Sequence, residues 1–494
     1  MTVTMAATMI VVLDTTIANV ALPHMQAALG ATPESVAWVL TSYILASAVA
    51  LPLTGWLSDR IGRRSLFTVA LAGFTVSSAV CGIAVTLPMM VAARIAQGLF
   101  GAFLAPMSQA IMYDINPREK HVQAMTLWGM VIMVGPIMGP VLGGWITDNY
   151  DWRWVFYINV PIGTAAAFAS WALLADVERK ARPFDLFGFL LLAAALSSTQ
   201  LMLDRGVQLD WFDSTEIWIE LAIAVGAAWM FVVHTATRAV SLLPRALFAD
   251  RNFVTAIMAM TVLGGILMAG AALVAPMLQR LLGYPVLQAG LLTAPRGVGT
   301  MIGMLVAGRL SKYVDPRMTI ATGMALLAAS LWIMTGFETG MDDSLVLWSG
   351  AIQGVGLGFT VLPMNLLALA TLPQRLRTEA ASLYNLTRSI GGSIAISVTT
   401  ALLASNVQAN HVALGGAVST TRAPFLNVGL FEQLGLRGES VLQMIDVEVN
   451  KQALMIAYVD DYWLMMWAAV LVMPLVLLMR GPRPGAVAPP PDAH

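Results

Sequence analysis

Fourteen stretches of this 494-residue chain are apolar over enough length to cross a bilayer, beginning near residues 3, 35, 65, 88, 123, 153, 184, 216, 253, 285, 317, 345, 380 and 461. A spanning helix needs about 20 such residues, and inside the hydrocarbon every backbone polar group must find its partner within the chain. The fold class that follows is an all-α membrane protein. Strands of a barrel would be about half as long and strictly alternating. Composition agrees, with 58% hydrophobic and only 11% charged residues, against about 25% charged in an average soluble domain. The first run, MTVTMAATMIVVLDTTIANVALP, lacks the basic leader and cleavage site of a secretory signal and reads as the first span.

Short polar segments such as SDRIGRR, NPREK and KYVDPR separate the spans. With the N-terminus placed in the cytoplasm, eighteen lysines and arginines fall on cytoplasmic segments and six on external ones, while Arg94, Arg296 and Arg388 fall within spans. Cations are retained on the cytoplasmic side, so both termini are expected there. The net charge of -1 says nothing about nucleic acid by itself, but the cations form no basic patch, and no nucleic-acid partner is expected. Cys81 is the single cysteine, the five histidines form no H-E-x-x-H pattern, and none of the four lysines follows a glycine. No metal, cofactor or phosphate-loop chemistry is therefore expected, and the chain does not read as an enzyme.

The chain repeats itself. GWLSDRIGRR at 55–64 returns as GRLSKYVDPR at 308–317, and Gln97-Gly98 aligns with Gln353-Gly354 at an offset of 256 residues. Two six-helix halves related by parallel duplication leave two surplus spans between them, and in membranes such duplication points to a transporter with a central site. The expected organisation is an N-terminal six-helix bundle over residues 1–180, an inserted hairpin of spans 7 and 8 over 181–240, a C-terminal bundle over 241–480 and a disordered tail over 481–494. The hairpin is expected to lie beside the bundle, packed by Gly188, Gly226 and its alanines.

Four motifs carry a resemblance: Leu13-Asp14-Thr15-Thr16 through Pro23; Gly55 to Arg64; Arg94-Ile95-Ala96-Gln97-Gly98; and Gly135-Pro136 through Gly143-Gly144. Together they resemble the signatures of the fourteen-span drug/proton antiporters of the major facilitator superfamily, in particular the EmrB type of Gram-negative inner membranes. The resemblance implies the major facilitator fold, with fourteen transmembrane helices. It implies export of hydrophobic small molecules in exchange for protons across the inner (cytoplasmic) membrane. It also implies a longer segment ahead of the first span than the thirteen residues that precede Asp14 here.

Asp14 lies nine residues before Pro23, about 13 Å from the outer surface at 1.5 Å per residue. A carboxylate at that depth costs about 2.5–3.5 kcal/mol on insertion scales and needs a cavity or a partner. It is the candidate proton carrier, or else a carboxylate held in a permanent ion pair. Arg94 can reach it, and Gln97, one turn on, lies at the same depth. By the resemblance these three form the proton-coupling set.

Gly55, Asp59, Arg60, Gly62, Arg63 and Arg64 join spans two and three, and in the resembling family they latch the inner gate. Gly135, Gly139 and Gly143, with Gly144 beside them, make a smooth stripe for a neighbouring helix, while Pro136 and Pro140 remove backbone donors. In the superfamily that motif marks exporters. The C-terminal half has Arg296 and Arg388 at membrane depth and no acidic residue in its first five spans, so the central cavity is expected to be positive and to favour weak acids or neutral amphiphiles. Candidate lining residues are Trp38, Tyr43, Trp128, Arg296, Asn365, Asn385 and Arg388.

Residues 405–460 form the one large external loop, with apolar residues at helical spacing in its latter part. By resemblance this loop is expected to meet a periplasmic adaptor, an EmrA-like membrane fusion protein, that continues toward a TolC-like outer-membrane channel. The leading function is proton-coupled multidrug efflux. Dedicated export of an endogenous fatty acid, lipid or siderophore is the alternative.

Overall fold

A computed structural model describes residues 1–175, 183–238, 241–311, 313–373, 376–417 and 438–479. The basic segment 176–182, Lys312, the stretch 418–437 and the tail from 480 lie outside the described residues, as do the side chains of Pro136 and Pro140. Among the described residues fourteen helices are long and apolar enough to cross a membrane, as the apolar runs predict. They are α1 (Thr2–Ala28), α2 (Trp38–Ile61), α3 (Arg63–Gly82), α4 (Leu87–Ile115), α5 (His121–Asn149), α6 (Trp154–Leu173), α7 (Leu186–Arg205) and α8 (Thr215–Thr237). The second half comprises α9 (Arg251–Leu281), α10 (Val286–Leu310), α11 (Pro316–Met334), α12 (Asp343–Ala370), α13 (Arg377–Ala417) and α14 (Gly438–Leu477).

The duplication is visible in who packs on whom. In the first half α1 packs on α5, α2 on α4 and α3 on α6; in the second α9 packs on α13, α10 on α12 and α11 on α14. Each pairing recurs with every helix number raised by eight, so the molecule is two six-helix bundles of one design with a two-helix hairpin between them. Close backbone approach holds these pairs. A Cβ on Gly391 of α13 would strike the Thr261 carbonyl of α9, and one on Gly358 of α12 would lie 2.5 Å from the Met304 nitrogen of α10.

The two halves meet along two seams. α5 follows α10 over most of its length: Thr126 stands against Gly308, Gly129 against Met304 and Ile137 against Gly297. α2 meets α13 at the end that carries Arg60 and Arg63, here termed the basic end. There Ser382 donates to the Leu51 carbonyl and Glu379 fills the space over Gly55.

Toward the opposite end the seam is filled by α7. Its Leu203 carbonyl accepts from Ser397 of α13 at 2.6 Å, and its Asp204 is hydrogen-bonded to Thr41 of α2. The hairpin is thus a wedge between the bundles on one flank, where packing beside the bundle on glycines was expected. A Cβ on Gly226 would meet nothing within 4 Å, and one on Gly188 would meet chiefly its own Asp185. Asp185 caps α7 through the Gly188 amide at 2.9 Å and ties in the end of α8 through His234 at 2.9 Å and the Leu242 amide at 3.1 Å. Burial alone would raise this carboxyl, but those hydrogen bonds outweigh it and hold it below the usual aspartate range.

The expected external loop 405–460 is largely helix. α13 has 41 residues and α14 has 40, each about 60 Å long at 1.5 Å per residue, twice the hydrocarbon thickness. Beyond the apolar windows they continue as an antiparallel pair, joined by Asn406 to Asp460 at 3.3 Å and His411 to Asp446 at 3.0 Å. Apolar residues at helical spacing with charges between them suit a helix that has left the membrane, and only 418–437 falls between the two ends.

Gly391→Ala is expected to push α9 from α13 and to cost about 1–3 kcal/mol. Gly415→Ala, where a Cβ meets nothing within 4 Å, should be neutral or slightly stabilising. Thermal unfolding of the detergent-solubilised protein checks both, and equal behaviour of the two variants would contradict the packing described.

Candidate functional site

Asp14 sits about 18 Å along α1 from its start and about 21 Å from its end, in the middle of the span. The glycine stripe of α5 is what seats it. A Cβ on Gly135 would lie 2.6 Å from Val12, one on Gly139 would run into Thr16, and one on Gly143 would lie 3.3 Å from Ile17. These contacts bracket Asp14 on both sides along α1. Gly144 faces open space and takes no part in the stripe.

With one side of α1 pressed on α5, Asp14 turns to α4 and α6. Arg94 Nη1 donates to its Oδ2 at 2.6 Å, and Gln97 Nε2 and Asn159 Nδ2 each donate to its Oδ1 at 2.8 Å. Arg94 Nη1 also donates to Gln97 Oε1 at 2.7 Å, and its Nε donates to the Val39 carbonyl of α2 at 3.0 Å. Asp14 is 1% exposed and Arg94 wholly buried, so the pair has no water to fall back on. The Tyr43 ring lies 4.3 Å from the guanidinium and closes the site from α2. Three donors from two helices converge on the one carboxylate, whereas Arg94 Nη2 is buried without a hydrogen-bond partner among the described residues, so the pair is held chiefly from the Asp14 side.

Asp14, Arg94 and Gln97 are therefore brought together as expected. Asn159 belongs with them and escaped the sequence reading; it also donates to Ser78 of α3 at 3.1 Å. Tyr43, expected in the substrate lining, stands against Arg94 instead.

The other candidates are dispersed. Trp38 is exposed at the start of α2, and Trp128 is buried, donating to Thr8 at 3.2 Å. Asn385 of α13 donates to Gln109 of α4 at 3.2 Å, joining the halves. Asn365 is buried with its Oδ1 unpartnered among the described residues, and Arg388 is half-buried beside Tyr384. Arg296 donates to the Leu267 carbonyl at 2.9 Å.

Arg296 stands where the duplicated counterpart of the Asp14 site would be. A Cβ on Gly270 of α9 would meet its guanidinium nitrogens at 3.8 Å and Gln353 Nε2 at 3.9 Å. Arginine and glutamine recur there without a carboxylate.

At the basic end Arg63 is ion-paired with Asp114, and Asp59 and Glu379 lie within its electrostatic reach. Arg60 lies over Trp56 and Arg64 over Trp171, at 5.3 and 5.8 Å from the ring centres, while Gly62 takes φ +89° to turn from α2 into α3. Glu379 corrects the reading that the first five spans of the second half hold no acid. α13 begins at Arg377, so Glu379 falls in its first turn and faces Gly55 across the halves. Asp461 of α14 is a second acid that the reading left outside the core. It is 0% exposed, and neither carboxylate oxygen has a hydrogen-bond partner among the described residues.

Two like-paired helical bundles, seamed together and carrying a wholly buried ion pair at mid-span, define a membrane transporter. Comparison with known proteins agrees. The chain belongs to the Major Facilitator Superfamily, whose family model matches residues 4–396. It is 34% identical over 484 residues to the multidrug export protein EmrB of Escherichia coli K12, covering 96% of this chain and 94% of that one. It is equally 34% identical over 476 residues to the fatty acid resistance protein FarB of Neisseria gonorrhoeae, covering 95% and 94%. Among solved structures, the proton:xylose symporter XylE bound to a bromodeoxyglucose matches with a TM-score of 0.61 at 13% identity, over 96% of this chain and 93% of that one. The human organic anion transporter MFSD10 matches with 0.59 at 12% identity, over 95% and 98%. These two share the fold.

Asn159→Leu should leave Asp14 Oδ1 short of a donor and cost about 1–3 kcal/mol, read as a fall in melting temperature; no change would remove Asn159 from the site. Gly270→Asp should be accommodated, since an added Cβ would meet its nearest neighbours from other helices, the Arg296 guanidinium nitrogens, only at 3.8 Å, and should bring a carboxylate to Arg296. A melting temperature equal to or above that of the parent is the expected result, and aggregation on expression would refute it.

Proposed function

We propose that this protein is a proton-coupled exporter of hydrophobic amphiphiles that works by alternating access, with the Asp14–Arg94 pair as its coupling site. The single observation that carries this reading is the completeness of the Asp14 shell. Three donors hold the carboxylate in place, and one of them is a cation that has only the protein to solvate it. A proton arriving on Asp14 cancels the charge that holds Arg94 Nη1. Arg94 keeps Gln97 Oε1 and the Val39 carbonyl, so the guanidinium can re-aim toward α2 and α4 without leaving the site. Because Asp14 lies on α1, Arg94 on α4 and Val39 on α2, protonation changes how three helices of one bundle are joined. One charge crossing 100 mV supplies about 2.3 kcal/mol to drive such a cycle.

The basic end is the cytoplasmic face in this reading, which follows from the excess of lysines and arginines and places both termini inside. Gly55 to Arg64 would then latch the inner side, with Arg63, Asp114 and Glu379 as its charged members, and the stripe of Gly135, Gly139 and Gly143 would keep α1 in register. The membrane is the bacterial inner membrane. The α13–α14 extension projects from the outer face and is the surface that would meet an EmrA-like periplasmic adaptor leading to a TolC-like channel. Multidrug export is the main reading, supported by relatives named for it. Dedicated fatty-acid export is the second, favoured by the equal likeness to a protein named for fatty acid resistance.

Asp14→Asn is expected to abolish proton-driven export in everted vesicles, measured as substrate-induced recovery of an imposed pH gradient. Because the substitution strands the Arg94 charge, at a cost of about 3–5 kcal/mol, the double variant Asp14→Asn/Arg94→Gln serves as its folded control. The double variant should run as a single species in size exclusion yet export nothing. Normal export by either variant would defeat the coupling assignment.

A further inference from the structure

The 256-residue offset that aligns Gln97 with Gln353 also sets Asp14 on Gly270 and Arg94 on Gly350. Both charged members of the first half's pair are thus glycine in the second. Arg296 of α10 reaches between these glycines: its Cβ lies 3.8 Å from where a Cβ on Gly350 would be, and its Nη2 donates to the Leu267 carbonyl of α9 at 2.9 Å. A Cβ on Gly270 would have as its three nearest neighbours from other helices Arg296 Nη1 and Nη2, each at 3.8 Å, and Gln353 Nε2 at 3.9 Å.

Three nitrogens at one distance from one point are the frame of a carboxylate site. The carbon of a carboxylate stands about 3.5–4 Å from nitrogens that donate to its oxygens at about 2.8 Å. Asp14 is served by the same kinds of donor, Arg94 Nη1 at 2.6 Å and Gln97 Nε2 at 2.8 Å.

The charge at this place is not compensated. Arg296 has a neutral carbonyl as its hydrogen-bond partner and no ion pair among the described residues, and the ionisable group within its electrostatic reach is Tyr462. Arg388 of α13, whose carbonyl stands against Gly264 six residues along α9, has Tyr384 as its ionisable neighbour. Asp461, next in the chain to Tyr462, bonds to neither arginine, since both its oxygens lack a partner among the described residues. Two cations at membrane depth without an acid therefore leave a cost that an anion would offset.

Nor are the donors sealed. Arg296 is partly exposed, on the side of α10 roughly opposite its exposed residues Leu291, Val298 and Ile302, so its open surface lies among the helices. Gln353 is 1% exposed and its Oε1 is buried without a partner, whereas Arg296 Nη1 and Gln353 Nε2, also without a partner among the described residues, both retain accessible surface.

We propose that Arg296 and Gln353 seat the carboxylate of an ionised hydrophobic acid, the head accepting from Arg296 Nη1 and Gln353 Nε2 while Arg296 Nη2 keeps the Leu267 carbonyl. The protein supplies the carboxylate in its first half and takes it from the substrate in its second. As a transport site this seat rests on the export reading above, but its binding is measurable without transport.

Equilibrium binding of dodecanoate and of 1-dodecanol to the full chain in phosphatidylcholine nanodiscs, at a pH where the acid is ionised, tests it. The parent should prefer the acid. Arg296→Gln should cut the ratio of acid to alcohol affinity about hundredfold and Gln353→Leu about tenfold, the upper and lower ends of what a hydrogen bond to a charged group is worth. Gly270→Asp places the protein's own carboxylate beside the same donors and should abolish the preference. Gln353→Leu keeps the test readable should either charge-changing variant fail to fold.

An acid preference that survives any of the three substitutions, or equal affinities of acid and alcohol in the parent, would overturn the proposal. So would displacement of dodecanoate by stoichiometric phosphatidylglycerol, which would assign the seat to a lipid headgroup. Loss of the preference as expected alongside normal export by Asp14→Asn would sink the coupling assignment and leave the seat standing; the converse pattern would sink the seat alone.

Discussion

An ion pair shut away from water governs this molecule. Placing Asp14 and Arg94 in a medium that cannot solvate them is costly, and their attraction repays it only with further hydrogen bonds, which among the described residues reach both Asp14 oxygens and Arg94 Nε and Nη1 but not Nη2. That demand reaches far beyond two side chains. It requires α6 to bring Asn159, α4 to bring Gln97 one turn from Arg94, and α2 to turn the Val39 carbonyl inward. It also requires α5 to be smooth where it meets α1, because a side chain at Gly139 would displace Thr16 and rotate Asp14 off its donors. The glycine-rich motif and the acidic motif, far apart in sequence, are two parts of one constraint.

The same design is used twice to different ends. Helix pairings in the second half copy those of the first, yet the acid is missing. Gln353 recurs, and an arginine is supplied from α10 by Arg296 rather than from α12, where Gly350 leaves room for it. One half therefore has a closed, neutralised pair and the other an arginine with a backbone carbonyl for company. Duplication preserved the backbone approaches, which are set by glycines packed on neighbouring main chain. The ionisable chemistry was free to diverge because it depends on single side chains.

Much of this was legible in the sequence for physical reasons that also mark where reading fails. Hydropathy found the spans because the bilayer imposes a length, and it found Asp14 and Arg94 because a charge inside such a run stands out. Asn159 does not stand out: an amide at the start of α6 looks like any helix-end polar residue until Asp14 is seen beside it. Glu379 was missed through a boundary placed at 380, an error of three residues against α13's start at Arg377, which hid the acid that faces Gly55. The outer extensions of α13 and α14 fell within the expected loop 405–460, helical in spacing only in its latter part, because hydropathy detects where the membrane ends and not where the helix does. Tyr43 was assigned to the substrate by its chemistry, whereas its position one helix away from Arg94 could not be known from spacing along α2.

The inserted hairpin changes what alternating access can mean here. In a two-bundle transporter the flanks open and close as the halves rock, and one flank of this protein has α7 bonded to both sides of it. Ser397 reaches α7 from the second half and Thr41 from the first, while on the other flank α5 packs directly on α10. Rocking about the α5–α10 seam would have to part α7 from one of its neighbours, to each of which it is joined by a hydrogen bond. α7 should therefore travel with one half and act as a seal that the other half leaves and rejoins. Asp185 makes that possible. By fastening the start of α7 to the end of α8 and to the connection beyond it, this residue keeps the hairpin a unit of its own, able to slide without unravelling. A wedge that must move as one piece needs an internal clasp more than it needs a broad contact with either bundle, and the bonding pattern around Asp185 has that form.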